Sequence, residues 1–307
     1  MRVALGKTDL QVHPLCLGGN VFGWSANTEQ SNLVLDAYSN AGGNFIDSAD
    51  MYSEWHNGNV GGESETIIGE WMKRRGNRAQ IIVATKVAKL STRPGLAAAN
   101  IASAAEDSLR RLGTDYIDIY YAHHDDESVP LEESLTAFHK LITDGKVRYI
   151  AASNYSADRL AEALKVSRDL GISEYVLLQP HYNAIVRNVY EGDLIALAVK
   201  EEIPVLPYFA LAAGFLTGKY QPGVSVDSVR AEDMPEYMNE RGWAILHALT
   251  DIAATHNAPI AATAMGWLRA QPGIAAPIAS ARTPEQLAQI LPIVELSREQ
   301  IAQVNAL

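Results

Sequence analysis

The stretch "NFIDSADMY", Asn44 to Tyr52, runs two apolar residues into a carboxylate, Asp47, and returns a phenol, Tyr52, five positions later. Lys86 ends another apolar run, "IIVATK", and a pair of imidazoles, His123 and His124, ends a third, "YIDIYYAHH". These four residue types have one joint use. A tyrosine hydroxyl ionises near pH ~10, and bringing that within reach of neutrality needs about 4 kcal/mol favouring the phenolate. An ammonium about 4 Å away supplies energy of that order at an effective dielectric of about 20. A carboxylate beside the lysine keeps it charged and in place, and a neutral imidazole orients a substrate oxygen through one ring N–H. Such a set protonates a carbonyl oxygen while a hydride reaches the carbon. The bland alternative is that each residue is a strand end meeting water, and the elements that carry them must decide.

Those elements alternate. Short apolar runs recur as "HPLCLG", "NFID", "IIVATK", "YIDIYYAH", "VRYIAAS", "YVLLQP", "IPVLPY" and "GIAAPIAS". They are apolar throughout, as expected for parallel strands buried on both faces. Between them lie segments with helical spacing. Thr28 to Ala41 sets Leu33, Val34, Ala37 and Tyr38 on one face, and Ser64 to Arg74 carries Ile67, Ile68 and Trp71. Ala99 to Leu112 and Leu131 to Thr143 stop before glycines, Ser156 to Leu170 starts on a cap, and Asp193 to Lys200 follows. Arg241 to His256 and Pro259 to Arg269 precede the last strand, and Pro284 to Leu291 follows it.

Eight strand–helix units in 307 residues predict a closed (β/α)8 TIM barrel, with an N-terminal hairpin cap turning at Gly6 and extended βα loops. No linker or composition shift divides residues 1–307, so a single domain is expected. The one long connection is Ala210 to Glu240. A doubly wound sheet also fits the alternation, but "LGG" at Leu17 to Gly19 is no dinucleotide fingerprint. In a barrel, chemistry sits where strands end. There stand Gly18, Gly19 and Asn20, then Asp47, Lys86, His123, Ser153 with Asn154, Gln179, Tyr208 and Ser280. Every strand contributes, which favours a site over accident.

Composition removes other classes. Asp plus Glu total 36 against 25 Lys plus Arg, a net charge of −11, which speaks against nucleic acid or an anionic membrane as partner. No apolar run is long enough to span a bilayer, and "MRVALGKTDL" lacks signal-peptide character, so a cytoplasmic location is expected. The single cysteine, Cys16, lies in an apolar run and reads as a buried thiol. Neighbouring strand residues point to opposite faces, so His123 and His124 in "HHDDE" cannot easily share an ion, and no metal is expected. Residue spacing alone does not choose between the two histidines. His13, His139, His247 and His256 read as surface or helix-end residues, whereas His56 and His181 lie near the rim. Trp24 and Trp55 sit in loops above the rim, where packing and an apolar substrate wall are equally open readings.

"DSADMY", "ATK" and "YYAHHDD", with "GESETIIG", "AASNY", "LLQPHYN", "FLTGKY" and "SARTPEQL" in order, resemble the aldo-keto reductase superfamily over essentially the whole chain. The resemblance implies a (β/α)8 barrel that uses NADPH, written NADP(H) for either direction, on a small carbonyl or alcohol substrate without metal. It matches Asp47, Tyr52, Lys86 and His123 to the catalytic tetrad, with Tyr52 as proton donor. It assigns Ser153, Asn154 and Gln179 to the nicotinamide carboxamide, and Tyr208 to stacking on its ring. Gly19 and Asn20 join the cofactor set, Leu211, Gly214 and Lys219 fall in the pyrophosphate loop, and Ser280, Arg282 and Gln286 fall at the adenosine phosphate. Arg282 precedes a helix opening at Thr283, whose free N–H groups would add to its pull on a phosphate.

Trp24, Trp55 and His124 are the expected substrate contacts. Phe209 and Ala210 stand where many members have Ser-Pro, and Ile290 where an adenine-contacting amide or acid is common. Two other functions remain open: a nucleotide-binding sensor or assembly subunit on the same barrel with little turnover, and a Schiff-base aldolase using Lys86 as nucleophile.

Overall fold

The computed structural model describes residues 2–224, 226 and 230–307. Its first strands, β1 (Val3–Ala4) and β2 (Gln11–Val12), pair antiparallel with Val3 opposite Val12. Gly6 makes the turn at φ +52°, and a Cβ there would come within 2.7 Å of Pro204. Leu5, Leu10 and Val12 pack with Cys16, Phe45 and Ile82 at the starts of the barrel strands. The hairpin therefore plugs the end opposite the expected site.

The barrel runs through β3 (Cys16–Gly18), α1 (Thr28–Asn40), β4 (Phe45–Asp47), α2 (Glu63–Arg75), β5 (Ile82–Val87), α3 (Ala98–Leu112), β6 (Ile117–Ala122), α4 (Leu131–Thr143), β7 (Val147–Ser153) and α5 (Ala157–Leu170). It continues through β8 (Leu178–Gln179), α6 (Asp193–Lys200), a short α7 (Met234–Tyr237), α8 (Glu240–His256), α9 (Ile260–Arg269), β9 (Ile278–Ala279), α10 (Pro284–Ala288) and α11 (Arg298–Asn305). Seven parallel strands pair in the order β8-β7-β6-β5-β4-β3-β9. The strand expected at "IPVLPY" is reduced to bridges. Val205 pairs with Leu178 on one side and Ile274 on the other, which closes the (β/α)8 barrel. Pro204 and Pro207 flank the bridging residues and lack the N–H that a longer ladder needs.

Two apolar layers follow from the strands' period of two. Ala84, Ile119, Tyr121, Ala151 and Leu206 fill the lumen, while Val83, Tyr120, Ile150 and Leu178 face the helices. Helix ends agree with their sequence signals: α3 and α5 stop on left-handed Gly113 and Gly171, and α11 opens on the Ser297–Gln300 capping box. In α1 the buried face differs from expectation. Leu33 is 52% exposed, and Leu35 packs in the core with Val34 and Tyr38. α10 ends at Ala288 instead of Leu291. The Ala210–Glu240 connection contains a 3₁₀ segment at Ala212–Thr217 and then α7, and its residues 225 and 227–229 lie outside the described residues. Among the described residues, no helix is long and apolar enough to cross a membrane.

Candidate active site

Strand register brings the chemistry together. Asp47 pairs with Ala84, so Lys86, two residues on, points into the same lumen. Lys86 pairs with Tyr121, which puts His123 on the inward file of β6, and Ser153 pairs with Gln179. The inward files of β4, β5, β7 and β8 are apolar below and end on Asp47, Lys86, Ser153 and Gln179. Asp47, Ser153 and Gln179, with His123 just past β6, line a cavity of about 610 Å³ at the carboxyl ends of the strands.

Lys86 is wholly buried and donates to Asp47 Oδ2 at 2.6 Å, to the Ser48 carbonyl at 2.7 Å and to the Tyr52 hydroxyl at 2.9 Å. The Tyr52 hydroxyl donates to the same Asp47 oxygen at 3.0 Å, and Gln179 Nε2 donates to Asp47 Oδ1 at 3.0 Å. One carboxylate thus holds the lysine, the phenol and an amide. His123 stands edge-on to Tyr52 with ring centroids 6.1 Å apart, and its buried Nδ1 has no hydrogen-bond partner among the described residues.

The electrostatics differ from the sequence expectation. Burial, and then the Asp47 carboxylate that accepts its O–H, push the Tyr52 pKa well above that of a free phenol. From sequence, Asp47 is expected only to hold Lys86 charged and in place, whereas in the structure the phenol is buried and the same carboxylate also accepts its O–H. Burial likewise lowers Lys86, against the pull of Asp47. His123 is held well below the ordinary imidazole value by burial and then by Lys86 and Lys89, so its ring is neutral through the physiological range. The site stores an intact phenol beside a neutral imidazole.

Most expected cofactor residues line this cavity: Asn20, Ser153, Asn154, Gln179, Tyr208, Phe209, Leu211, Gly214, Lys219, Ser280, Arg282 and Gln286. Several hold one another. Asn154 donates to the His123 carbonyl at 2.9 Å and accepts from the Tyr208 hydroxyl at 2.7 Å, and Ser280 donates to Asn20. His181 stacks on Tyr208 at 5.3 Å, covering one face of the ring. Phe209 has φ +52°, and Asn183 anchors its carbonyl at 3.0 Å. The start of α10 is partly satisfied internally, since Thr283 caps it and Gln286 Oε1 accepts from the Arg282 backbone N–H at 2.9 Å. Any pull on a phosphate there falls mainly to the Arg282 guanidinium.

Three expected contacts lie elsewhere. Gly19 does not line the cavity. Its N–H donates to the Asp47 carbonyl at 2.8 Å, and a Cβ would come within 2.6 Å of Ser64 Oγ, so the glycine permits close packing of β3's exit. His124 is also outside the lining, because strand alternation turns it away and its Nδ1 meets the Asp125 carbonyl. Of the tryptophans, Trp55 lines the cavity and Trp24 backs it edge-on at 5.6 Å. Sequence reading missed Lys89, Arg230 and Gln289 in the lining. Gln289 was within reach, being an amide adjacent to Ile290. Cys16 is buried in the lumen cluster, where burial raises its thiol pKa.

A model of the aldo/keto reductase family matches residues 14–307. Among curated proteins, an NADP(+)-named aryl-alcohol dehydrogenase of Phanerodontia chrysosporium is 34% identical over 226 residues, covering 67% of this chain and 57% of its own. An uncharacterized oxidoreductase of Bacillus subtilis is 31% identical over 303 residues, 95% of this chain and 90% of its own. A probable voltage-gated potassium channel subunit beta of Oryza sativa is 29% identical over 298 residues, 93% and 88% of the two chains.

Proposed function

Because the chain belongs to the aldo/keto reductase family of oxidoreductases, we propose that it interconverts a carbonyl compound and its alcohol with NADP(H), using Tyr52 as general acid and base. The observation that carries this reading is the Tyr52 hydroxyl on the cavity floor, bonded to both Lys86 and Asp47 within 3.0 Å.

The residues present suit a nicotinamide dinucleotide. Tyr208 lines the cavity with one ring face covered by His181, the amides of Asn154 and Gln179 lie beside it, and Lys219 and Arg282 line the region beyond. When bound, the reduced nicotinamide supplies a hydride to the carbonyl carbon. The chain's own residues do the rest. His123, neutral and lining the cavity beside Tyr52, fixes the carbonyl oxygen near the phenol. Tyr52 gives its proton to that oxygen, and the phenolate left behind is stabilised by Lys86 at 2.9 Å. Asp47 keeps the lysine in place, and the raised Tyr52 pKa keeps the acid form loaded at neutral pH.

A panel of aldehydes, ketones and alcohols assayed with NADPH, NADH and their oxidised forms tests this reading. Turnover of carbonyls is expected, with oxidation growing only at alkaline pH, where the phenol can ionise. The relative named as a potassium channel subunit beta favours a second reading, a nucleotide-binding subunit with little turnover. The complete Asp47–Tyr52–Lys86–His123 set supports the enzymatic one.

Cofactor choice gives a separate prediction. Arg282 is the arginine expected at the 2′-phosphate, in a chain otherwise biased to negative charge. NADPH is expected to bind more tightly than NADH, and Arg282→Ala to weaken NADPH about tenfold or more while affecting NADH little. Fluorescence titration of both cofactors on both proteins measures this. Equal losses would show that Arg282 does not read the phosphate.

A further inference from the structure

The cavity is lined by four cationic side chains, Lys89, Lys219, Arg230 and Arg282, and by one carboxylate, Asp47, which Lys86 already engages. In a chain of net charge −11 this lining is reversed in sign. Lys219 and Arg282 belong to the loops assigned to the dinucleotide, and Arg230 lies over Phe209 and Trp24 at 5.7 and 5.9 Å. Lys89 stands apart from them. It leaves β5, which is flanked by β4 and β6. It therefore emerges between the loop that carries Tyr52 and Trp55 and the strand end that carries His123.

Its position is built into the backbone. Ala88 adopts φ +109°, a region that residues with a Cβ rarely occupy, and Gly95 holds the Ala88 carbonyl at 2.9 Å. That turn carries Lys89 to the exposed rim of the cavity. Among the described residues its ammonium makes no ion pair and no hydrogen bond. Partial burial and the nearby Lys86 charge hold its pKa below the ordinary lysine value, a condition that an incoming anion relieves. Beside it, Tyr52, Trp55 and Trp24 form a chain of edge-on rings at 6.1 and 5.6 Å, suited to a flat apolar body.

We propose that Lys89 is a specificity-determining residue of this site, selecting aromatic carbonyl substrates that also carry a carboxylate. The inference rests on the carbonyl-reduction reading above, and two comparisons separate the failure of one from the failure of the other. The first compares kcat/KM for 4-carboxybenzaldehyde and for its neutral methyl ester, in wild type, Lys89→Ala and Lys89→Glu. The wild type prefers the acid by about fivefold or more. Lys89→Ala removes the preference, mainly through KM of the acid, and Lys89→Glu reverses it. Added salt shrinks the wild-type preference. No preference in the wild type, or the same loss for acid and ester in Lys89→Ala, overturns the proposal.

The second comparison needs no turnover. Benzoate is titrated against tryptophan fluorescence in wild type and Lys89→Ala. A dissociation constant about fivefold weaker in the variant supports the assignment, and an unchanged one overturns it. If no carbonyl of any charge is reduced, the carbonyl-reduction reading fails and the benzoate titration alone decides Lys89.

Discussion

Lys86→Met is expected to remove nearly all carbonyl reduction and to move the residual alcohol-oxidation profile to higher pH. The ammonium lies 2.9 Å from the Tyr52 hydroxyl and is the only cation bonded to it among the described residues. Without it, the phenolate formed as the proton leaves is uncompensated, in a site where burial and Asp47 already oppose ionisation. The reductive rate should fall by about 10²-fold or more. The sign of the pH effect follows from the same charges. Reduction needs the phenol, which is present at neutral pH in both proteins, so its rate falls without a new acidic limb. Oxidation needs the phenolate, so its rising limb shifts further alkaline. The variant also leaves Asp47 buried without its ammonium, a loss of about 3–5 kcal/mol measurable by denaturant unfolding. An unchanged rate and an unchanged oxidation profile would show that Lys86 does not tune Tyr52.

Tyr52→Phe should separate chemistry from binding. The ring stays edge-on to Trp55 and His123, while the transferable proton is lost. Lys86 and Asp47 keep their 2.6 Å bond to each other, so no buried charge is orphaned and the variant should fold. General acid catalysis of this kind contributes about 10²–10⁴-fold. That loss is expected in kcat for an aromatic aldehyde, with the NADPH dissociation constant within about twofold of wild type. Reduction at near wild-type kcat would contradict the assignment of Tyr52.

The barrel and the floor of the site were legible for physical reasons. A residue at an inward strand end must face the lumen, so Asp47, Lys86, His123, Ser153 and Gln179 could be placed from the apolar runs that precede them. "IPVLPY" looked like a full strand because its apolar content is right, yet its two prolines limit pairing to bridges. In α1, spacing alone did not decide which side of Val34 is buried, and the structure buries Leu35 while exposing Leu33. Loop residues were less legible because their contacts depend on how distant segments fold over one another. Arg230 reaches Trp24 and Phe209 across the cavity, His181 stacks on Tyr208, and Lys89 reaches the rim through a positive φ at an alanine, which composition does not announce. The direction of the Tyr52 shift was missed for a related reason. The charge of Lys86 was counted from sequence, but not the burial of the phenol or the O–H that Asp47 accepts from it.

Hydride transfer from a nicotinamide to a carbonyl carbon, with Tyr52 supplying the proton, is the chemistry proposed for this cavity. The most direct measurement uses NADPH carrying deuterium at both C4 positions, with an aromatic aldehyde, in ordinary water. The expected product is an alcohol carrying one deuterium on the former carbonyl carbon for each cofactor oxidised. Tyr52→Phe is expected to slow formation of that product by about 10²-fold or more. Cofactor that binds but passes no deuterium to any aldehyde or ketone, with the wild type and Tyr52→Phe behaving alike, would contradict that chemistry.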